Sequence, residues 1–241
     1  MNKLIFVFVL SFLSALQLPA QGFKDIVKKA KEAIPLSLSE DEVGAALKEA
    51  LQKGAGDAAA SLAAQDGYYK SVYKILLPEE ARQVVSKLKM VPGFENTEEQ
   101  LIEKMNRAAE DAASKAGPIF VDAIRKMTIQ DAMNLLMGEK DAATRYLERT
   151  TYDPLYQAFR PVIIEALDKV NAREYWRGAV TAYNKIPLVK KTNPELDDHV
   201  TRTALTGLFA LIEQKEADIR ANPAARSSEL LKKVFARQDN K

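Results

Sequence analysis

The stretch DPLYQAFRPVIIEALDKV, residues 153–170, decides the fold class of this chain. Its apolar residues recur every three or four positions, which is the period of one face of an α-helix. They are Leu155, Phe159, Val162, Ile163, Ala166, Leu167 and Val170. Asp153 is a suitable N-cap, and Pro154 fits the first helical position because its missing N–H would be unpaired there anyway. The stretch therefore predicts a helix that buries one face.

The same period extends through most of the chain after Gln21, and no segment has the strict alternation of a half-buried strand. Capping boxes at Ser39 with Glu42 and at Thr97 with Gln100 predict two helix starts. Further helices are predicted over residues 78–88, 97–116, 119–127, 128–137, 141–148, 172–183, 195–220 and 230–235. The expected fold is all-α, an irregular multi-helix bundle of roughly nine to eleven helices without a sheet.

The first twenty residues have the three-part layout of a secretory signal peptide. Lys3 supplies a positive charge, an apolar run extends from Leu4 to Leu16, and Leu18-Pro19-Ala20 offers small residues for cleavage. The apolar run is too short to remain in a bilayer as a stable anchor. We therefore expect an exported protein, periplasmic or secreted, that keeps no transmembrane anchor after cleavage.

These patterns give a simple expected domain organisation. Residues 1–20 are the cleaved signal peptide, residues 21–38 are a weakly patterned segment, and residues 39–239 are a single helical domain. The alternative is a domain of two lobes joined by a hinge near residues 150–153, between two of the predicted helices.

Composition excludes several kinds of chemistry. The 241-residue chain has no cysteine, one histidine and a formal net charge of +2. It therefore has no disulfide, thiolate metal site or thiol nucleophile, and the lone His199 excludes a multi-histidine metal site. A net charge near zero disfavours nucleic acid as a partner, because phosphate binding needs a basic field. We expect no cofactor, no metal and no catalytic residue of a recognisable type.

Short motifs are spread over the whole predicted domain. They are Asp66-Gly67-Tyr68-Tyr69, Leu77-Pro78-Glu79, Asn106-Arg107-Ala108-Ala109-Glu110, Pro118-Ile119-Phe120, Met127-Thr128-Ile129-Gln130-Asp131-Ala132, Ala142-Ala143-Thr144-Arg145-Tyr146, Val200-Thr201, Ala204-Leu205-Thr206-Gly207-Leu208-Phe209 and Ile219-Arg220-Ala221-Asn222-Pro223. With these motifs the chain resembles, over about Val43 to Phe235, the exported bacterial proteins grouped as DUF4197, a family of unknown function. The resemblance implies an exported α-helical protein and supplies no catalytic or binding residues.

The main candidate site is a cluster of polar residues. Arg107 and Glu110 lie three positions apart on a helix whose other side is mostly alanine, so they can form a pair. If the short helices that start at Thr128 and Asp141 pack beside this helix, more polar side chains join them. The six members are Asn106, Arg107, Glu110, Asp131, Thr144 and Arg145. A structural ion-pair network is the simpler interpretation, and a ligand pocket is the alternative.

Other patterns have simple structural interpretations. Residues 54–59 match a G-x-G-x-x-A fingerprint but lack the preceding strand that dinucleotide binding requires, so the glycines indicate a helix break or a close-packing site. Gly207 within its helix also suggests close packing. Adjacent acids in first turns complement the helix dipole. The tyrosines and the basic, apolar-striped C-terminal helix are interpreted as packing elements, although that helix also has the pattern of a peripheral membrane contact.

The leading hypothesis is a non-enzymatic exported protein that binds an envelope partner protein or a small apolar ligand. One alternative is a hydrolase or lyase that acts on envelope polymers through the carboxylates of Glu110 and Asp131. Another is a protein that binds the membrane surface through its C-terminal helix.

Overall fold

The computed structural model describes residues 39–78, 97–188, 190–226 and 228–235. Within these ranges the chain forms eight α-helices and one 3-10 turn, and no strand. The all-α prediction is confirmed, with one helix fewer among these residues than the lower end of the predicted range. The predicted signal peptide, the segment 21–38 and the predicted helix over residues 78–88 lie outside the described residues, apart from Pro78.

The helices are α1 (Glu40–Ala63), α2 (Thr97–Ala113), α3 (Ala116–Lys126), α4 (Ile129–Met137), α5 (Ala142–Asp168), α6 (Ala172–Tyr183), α7 (Leu196–Ala221) and α8 (Glu229–Phe235). The 3-10 turn, Pro223–Ala225, lies between α7 and α8. The capping box of Ser39 with Glu42 is present at the start of α1. Thr128 caps α4, and Gly138 follows its last residue, as predicted.

Helix α5 corrects the prediction of two helices separated near residue 150. It is continuous through residues 150–153, so the segment expected to be a hinge is helical, and Asp153 and Pro154 lie inside the helix rather than at its start. Its buried residues recur every four positions across the expected break: Leu147, Thr151, Leu155, Phe159, Ile163 and Leu167. This unbroken buried face offsets the backbone hydrogen bonds that Pro154 and Pro161 cannot donate.

The predicted break at Gly117-Pro118 occurs three residues earlier. Helix α2 ends at Ala113 and α3 starts at Ala116, so Pro118 lies in the first turn of α3. The N–H groups of a first turn have no partner within the helix, and proline therefore costs nothing there.

The core lies where α1, α2, α5 and α7 pack against one another. Ala108, Ala109, Ala112 and Ala113 of α2 are fully buried, and their small side chains allow neighbouring helices to approach closely. Gly54 lies within the continuous α1 and does not break it; a Cβ at this position would be 3.8 Å from Cδ1 of Ile219 in α7. The residues from Ser39 onward form one compact unit that contains this core.

No helix in the described ranges has both the length and the apolar character needed to cross a bilayer.

Candidate functional site

The non-helical segment of residues 66–78, which we call the strap, lies across α2 and α7. It starts with Asp66, whose φ of 68° is in the left-handed region that aspartate tolerates better than most residues. Gly67 follows, and a Cβ on it would lie 2.5 Å from the carbonyl oxygen of Ser61. Only glycine permits this close approach, so the sharp turn out of α1 depends on the Asp-Gly pair.

Glu110 of α2 fixes the start of the strap. Its Oε1 accepts hydrogen bonds from the backbone N–H groups of Tyr68 and Tyr69, each at 3.1 Å. Its Oε2 accepts a bond of 2.8 Å from Nη1 of Arg107. The carboxylate is buried, and a buried charge is tolerated when it is both paired and hydrogen bonded. Both of its oxygens are therefore engaged.

Arg107 connects this carboxylate to the surface of the strap. Its Nη2 donates to Oδ1 of Asp66 at 2.7 Å, and its guanidinium lies 5.0 Å from the ring centroid of Tyr69. The hydrogen bond from Arg107, assisted by Lys70, lowers the pKa of Asp66. Donation from the Tyr69 hydroxyl to Glu99 raises the pKa of Tyr69 to about 12. The tyrosine therefore stays a neutral donor at physiological pH.

Asn106 fixes the far part of the strap. Its Oδ1 accepts from the N–H of Ile75 at 2.8 Å, and its Nδ2 donates to the carbonyl of the same residue at 2.9 Å. Nδ2 also donates to the carbonyl of Ile102. The side chain is fully buried and uses all its donors and its acceptor. Nε2 of His199, the lone histidine, lies 2.9 Å from the carbonyl oxygen of the next strap residue, Leu76.

The middle of the strap packs on α7. The buried Tyr68 donates its hydroxyl to the carbonyl of Ala204 at 2.8 Å. A Cβ on Gly207 would be 3.2 Å from Cε1 of Tyr68 and from Cβ of Tyr73. The close-packing role predicted for Gly207 is confirmed. The strap tip at Val72 is 92% exposed, so a rigidly held backbone presents an apolar side chain to solvent.

We expect acid to destabilise the protein partly through Asp66. Because the folded-state pKa of Asp66 is lowered, ionised Asp66 stabilises the fold above its unfolded value of 3.8, and this contribution is lost as the pH falls through the folded-state pKa. Asp66→Asn keeps a residue that tolerates positive φ. Urea unfolding at about pH 5 and about pH 2.5 should therefore show a smaller loss of stability for the variant than for the wild type. Equal losses would contradict this assignment.

The six candidate residues do not form one network, which corrects the prediction. Asn106, Arg107 and Glu110 act together on the strap. Asp131 hydrogen bonds with Thr128 in the capping box of α4, and no hydrogen bond or ion pair among the described residues joins it to Glu110. Arg145 pairs at 2.6 Å with Asp141, the residue that directly precedes α5. Local partners thus hold the two residues that were expected to reach across from neighbouring helices.

Thr144 belongs to a second buried cluster that the sequence analysis missed. Glu216 of α7 accepts hydrogen bonds from the N–H groups of Ala143 and Thr144 and from the Thr144 hydroxyl, at 2.8–3.1 Å. Its carboxylate also pairs with Arg220 at 2.7 Å. Arg220 in turn donates to the carbonyl of Leu135 at the end of α4. One ion pair therefore caps the N-terminus of α5 and the C-terminus of α4.

Asp197 is the centre of a third cluster, also missed. Its side chain is fully buried and accepts from Nε of Arg160 at 2.8 Å and from Nε of Arg173 at 2.9 Å. Burial by itself raises the pKa of Asp197, but the hydrogen bonds and charges of the two arginines outweigh burial, and the pKa is lowered. Asp197 and Asp198 are among the adjacent first-turn acids that were expected to complement a helix dipole. This cluster joins α5, α6 and α7.

The C-terminal helix is docked on its own domain. Leu231, Val234 and Phe235 are buried, and α8 packs against α1. The buried Arg226 holds the preceding turn, because it donates to the carbonyls of Ile219 and Arg220 at the end of α7 and lies 5.5 Å from the ring of Phe235. These three of the apolar residues that suggested membrane contact therefore face the interior.

Two hollows in the described part of the molecule bear on ligand binding. A cavity of about 40 Å³ lies between α1, α5, α7 and α8, with a mainly apolar lining that includes Leu47, Leu51, Leu147, Ile212 and Phe235. An open cleft of about 550 Å³ follows α6, lined by charges of both signs that include Arg173, Glu174, Arg177 and Lys185. In these ranges no three acidic or histidine side chains lie close enough together to hold a metal ion.

A second exposed non-helical segment follows α6. We call residues 185–188 and 190–191 the basic loop. The side-chain amide of Asn184 closes its base, since Nδ2 donates to the carbonyl of Thr192 at 2.8 Å and Oδ1 accepts from its N–H at 2.9 Å. Leu188 is fully exposed, Ile186 is 54% exposed, and the φ of Leu188 is 65°. Leucine rarely adopts this left-handed conformation.

We expect Leu188→Gly to raise the free energy of unfolding by up to about 1 kcal/mol. Glycine adopts positive φ without strain, and the fully exposed leucine side chain has no packing to lose. Ile186→Gly is the matched control in the same loop. The φ of Ile186 is not positive, so glycine relieves no strain there. Ile186→Gly should lower the free energy of unfolding, because glycine increases the conformational entropy of the unfolded chain. Denaturant midpoints of both variants measure the difference, and a destabilised Leu188→Gly protein would refute the argument.

The family model of DUF4197, described as a protein of unknown function, matches residues 37–236. The chain belongs to the DUF4197 family. The match contains every described helix of this DUF4197 protein, together with the strap, the basic loop and the three buried clusters. No curated protein and no solved structure matches the chain.

Proposed function

We propose that this protein is a non-enzymatic, exported binding protein that recognises a partner protein of the cell envelope through the strap. The observation that carries the proposal is the fixed backbone of a surface segment with an exposed apolar tip. Glu110 and Asn106 bind four backbone groups of the strap, while Val72 at its tip is 92% exposed. Binding residues are often found on loops that a rigid scaffold positions.

The surface around Val72 has the composition of a protein contact. Tyr69 and Tyr73 are half-buried, so each presents part of a ring to solvent, and Leu76 is exposed. Tyrosine is enriched in interfaces because it supplies contact area and a hydrogen bond with few rotatable bonds. A segment whose backbone is already fixed loses little conformational entropy when a partner binds.

The catalytic alternative receives no support from the geometry. Both oxygens of Glu110 are occupied by Arg107 and by backbone N–H groups. Asp131 is occupied by Thr128. The two carboxylates are thus held by different partners, and no hydrogen bond or ion pair among the described residues joins them.

Site-specific photo-crosslinking tests the proposed function. A photoreactive amino acid at position 72 should yield a discrete crosslinked protein in cells. The same amino acid at Met137, which is exposed at the end of α4, should not. With the identified partner purified, Val72→Asp should weaken binding by tenfold or more, because a charge then enters an apolar contact. Equal crosslinking at both positions, or unchanged affinity for Val72→Asp, would reject the strap as the binding element.

A second candidate function, binding of a small apolar ligand, is favoured by the internal cavity. At about 40 Å³ it is smaller than the roughly 150 Å³ of an engineered cavity that binds benzene, so entry of a ring requires Phe235 to move. Phe235→Ala should create that space and produce measurable benzene binding by calorimetry. A variant that binds no benzene although it remains folded would remove this candidate.

A further inference from the structure

We propose that the basic loop attaches the protein to the surface of an anionic lipid bilayer. In this arrangement Ile186 and Leu188 insert among the lipid chains, and Lys185 and Lys191 lie at the level of the headgroups. The inference goes beyond the proposed binding of a partner protein, because it concerns a different segment and a different class of surface.

The first support is the presentation of apolar side chains on a backbone that is already ordered. Asn184 closes the base of the loop, and the buried Trp176 donates its Nε1–H to the carbonyl of Asn193 at 3.1 Å. Leu188 nevertheless projects fully into solvent from a left-handed backbone. A strained, exposed leucine adds nothing to the core, and strain of this kind is typical of functional positions.

Charge complementarity is the second support. Between Lys169 and Pro194 the chain contains six lysines and arginines and one acidic residue, Glu174, although the whole chain is nearly neutral. Lys169 pairs with Glu165, Arg173 with Asp168 and Asp197, and Arg177 with Glu195. Lys185 and Lys191 are exposed and form no ion pair among the described residues, and the loop contains no acidic residue. The positive charge of these two lysines matches the negative potential of an anionic leaflet.

The small size of the apolar tip favours a bilayer over a protein as its partner. Stable protein interfaces bury more than about 1,000 Å², far more than two side chains supply. A bilayer needs no shape complementarity, and lysine stems can extend along the lipid chains while their ammonium groups remain in water. The C-terminal helix would have to leave its docked position before it could insert, because Leu231, Val234 and Phe235 are buried. The basic loop is already exposed.

Vesicle co-sedimentation tests the proposal. The protein to use is residues 21–241, which lacks the apolar leader and retains the whole compact unit from Ser39 onward. We expect binding to vesicles of equal parts phosphatidylglycerol and phosphatidylcholine at low salt, and much weaker binding to phosphatidylcholine alone. High salt should weaken the binding to anionic vesicles, because it screens the lysines.

Variants separate the two contributions of the loop. The double variant Ile186→Ser with Leu188→Ser should lower the partition coefficient at least about tenfold, because two side chains no longer insert. Lys185→Gln with Lys191→Gln should lower it about tenfold on anionic vesicles and little on neutral ones. Met137→Ser, which removes an exposed apolar side chain elsewhere, is the matched control and should bind like the wild type. All these positions are solvent exposed, so thermal unfolding should remain unchanged.

A fluorescence measurement gives an independent readout. Leu188→Trp should be quenched by brominated lipid chains, whereas the native Trp176 is buried and should not be. The proposal is wrong if wild type fails to bind anionic vesicles, if the serine double variant binds as well as wild type, or if Met137→Ser weakens binding equally. Unchanged vesicle binding of the loop variants would also overturn the proposal. If the same variants lost the crosslink expected at Val72, the loop would be identified as a protein contact.

Discussion

Replacing Asp197 by alanine is expected to lower the free energy of unfolding by about 3–5 kcal/mol. The substitution leaves Arg160 and Arg173 without the fully buried carboxylate that binds both of them. Arg160 then has no ion-pair partner among the described residues, and Arg173 keeps only the more exposed Asp168. Removal of the shared buried carboxylate is costly because the partly buried arginine charges stay desolvated without it. Urea unfolding at neutral pH measures the change. Asp218→Ala, at an exposed position on the same helix, should stay within about 0.5 kcal/mol of the wild type.

A triple variant distinguishes the loss of charge balance from a general defect. Replacing Asp197 by leucine and both arginines by methionine removes every charge of the cluster together. Apolar residues of similar volume often replace buried ion pairs without loss of stability, so the triple variant should regain most of what Asp197→Ala loses. A triple variant as unstable as the single one would show that packing, rather than unbalanced charge, explains the effect.

Glu110→Ala is the second large expected effect, again a loss of about 3–5 kcal/mol. It leaves the backbone N–H groups of Tyr68 and Tyr69 without their acceptor and Arg107 without its closest buried partner. Unpaired buried donors retain their full desolvation cost. Hydrogen exchange should then accelerate selectively at the amides of Tyr68 and Tyr69. Unchanged exchange at these two amides would show that Glu110 does not fix the strap.

Glu103→Ala provides the control for this experiment. Glu103 lies on the same helix, 3.7 Å from the Arg107 guanidinium, but its side chain is 43% exposed, and ion pairs at the surface contribute about 0–1 kcal/mol. Glu110→Ala should also abolish the crosslink expected at Val72, while Glu103→Ala should preserve it. A crosslink that persists in Glu110→Ala would show that partner recognition does not depend on the backbone hydrogen bonds that Glu110 makes to the strap.

The fold class was predictable from the sequence because each helix buries a stripe of apolar residues at helical spacing. The middle of α5 is the exception. Thr151 interrupts the apolar pattern in the middle of α5, yet it is fully buried because its hydroxyl donates to the carbonyl of Leu147. The prediction divided α5 between residues 148 and 153, because Asp153 and Pro154 have the pattern of a helix start; the buried Thr151 shows that the helix continues through this stretch.

The candidate site was predictable only in part. Asn106, Arg107 and Glu110 share one helix face, so their spacing placed them together. Their main partners are backbone groups of the strap, which have no side-chain signature in the sequence. Thr144 and Asp197 find partners far along the chain: Glu216 is 72 residues from Thr144, and Arg160 is 37 residues from Asp197. Pairings at such distances are determined by tertiary packing, which local pattern does not encode.

The docked C-terminal helix has a consequence for local unfolding. A seven-residue helix has too few internal hydrogen bonds to persist alone, so α8 owes its order to Arg226 and to the buried Phe235. The element can therefore detach while the remaining helices stay folded. Hydrogen exchange at the amides of Glu229–Phe235 should then be faster than in the other helices, because detachment of α8 costs less free energy than global unfolding. Detachment would also admit solvent to the cavity that Phe235 lines.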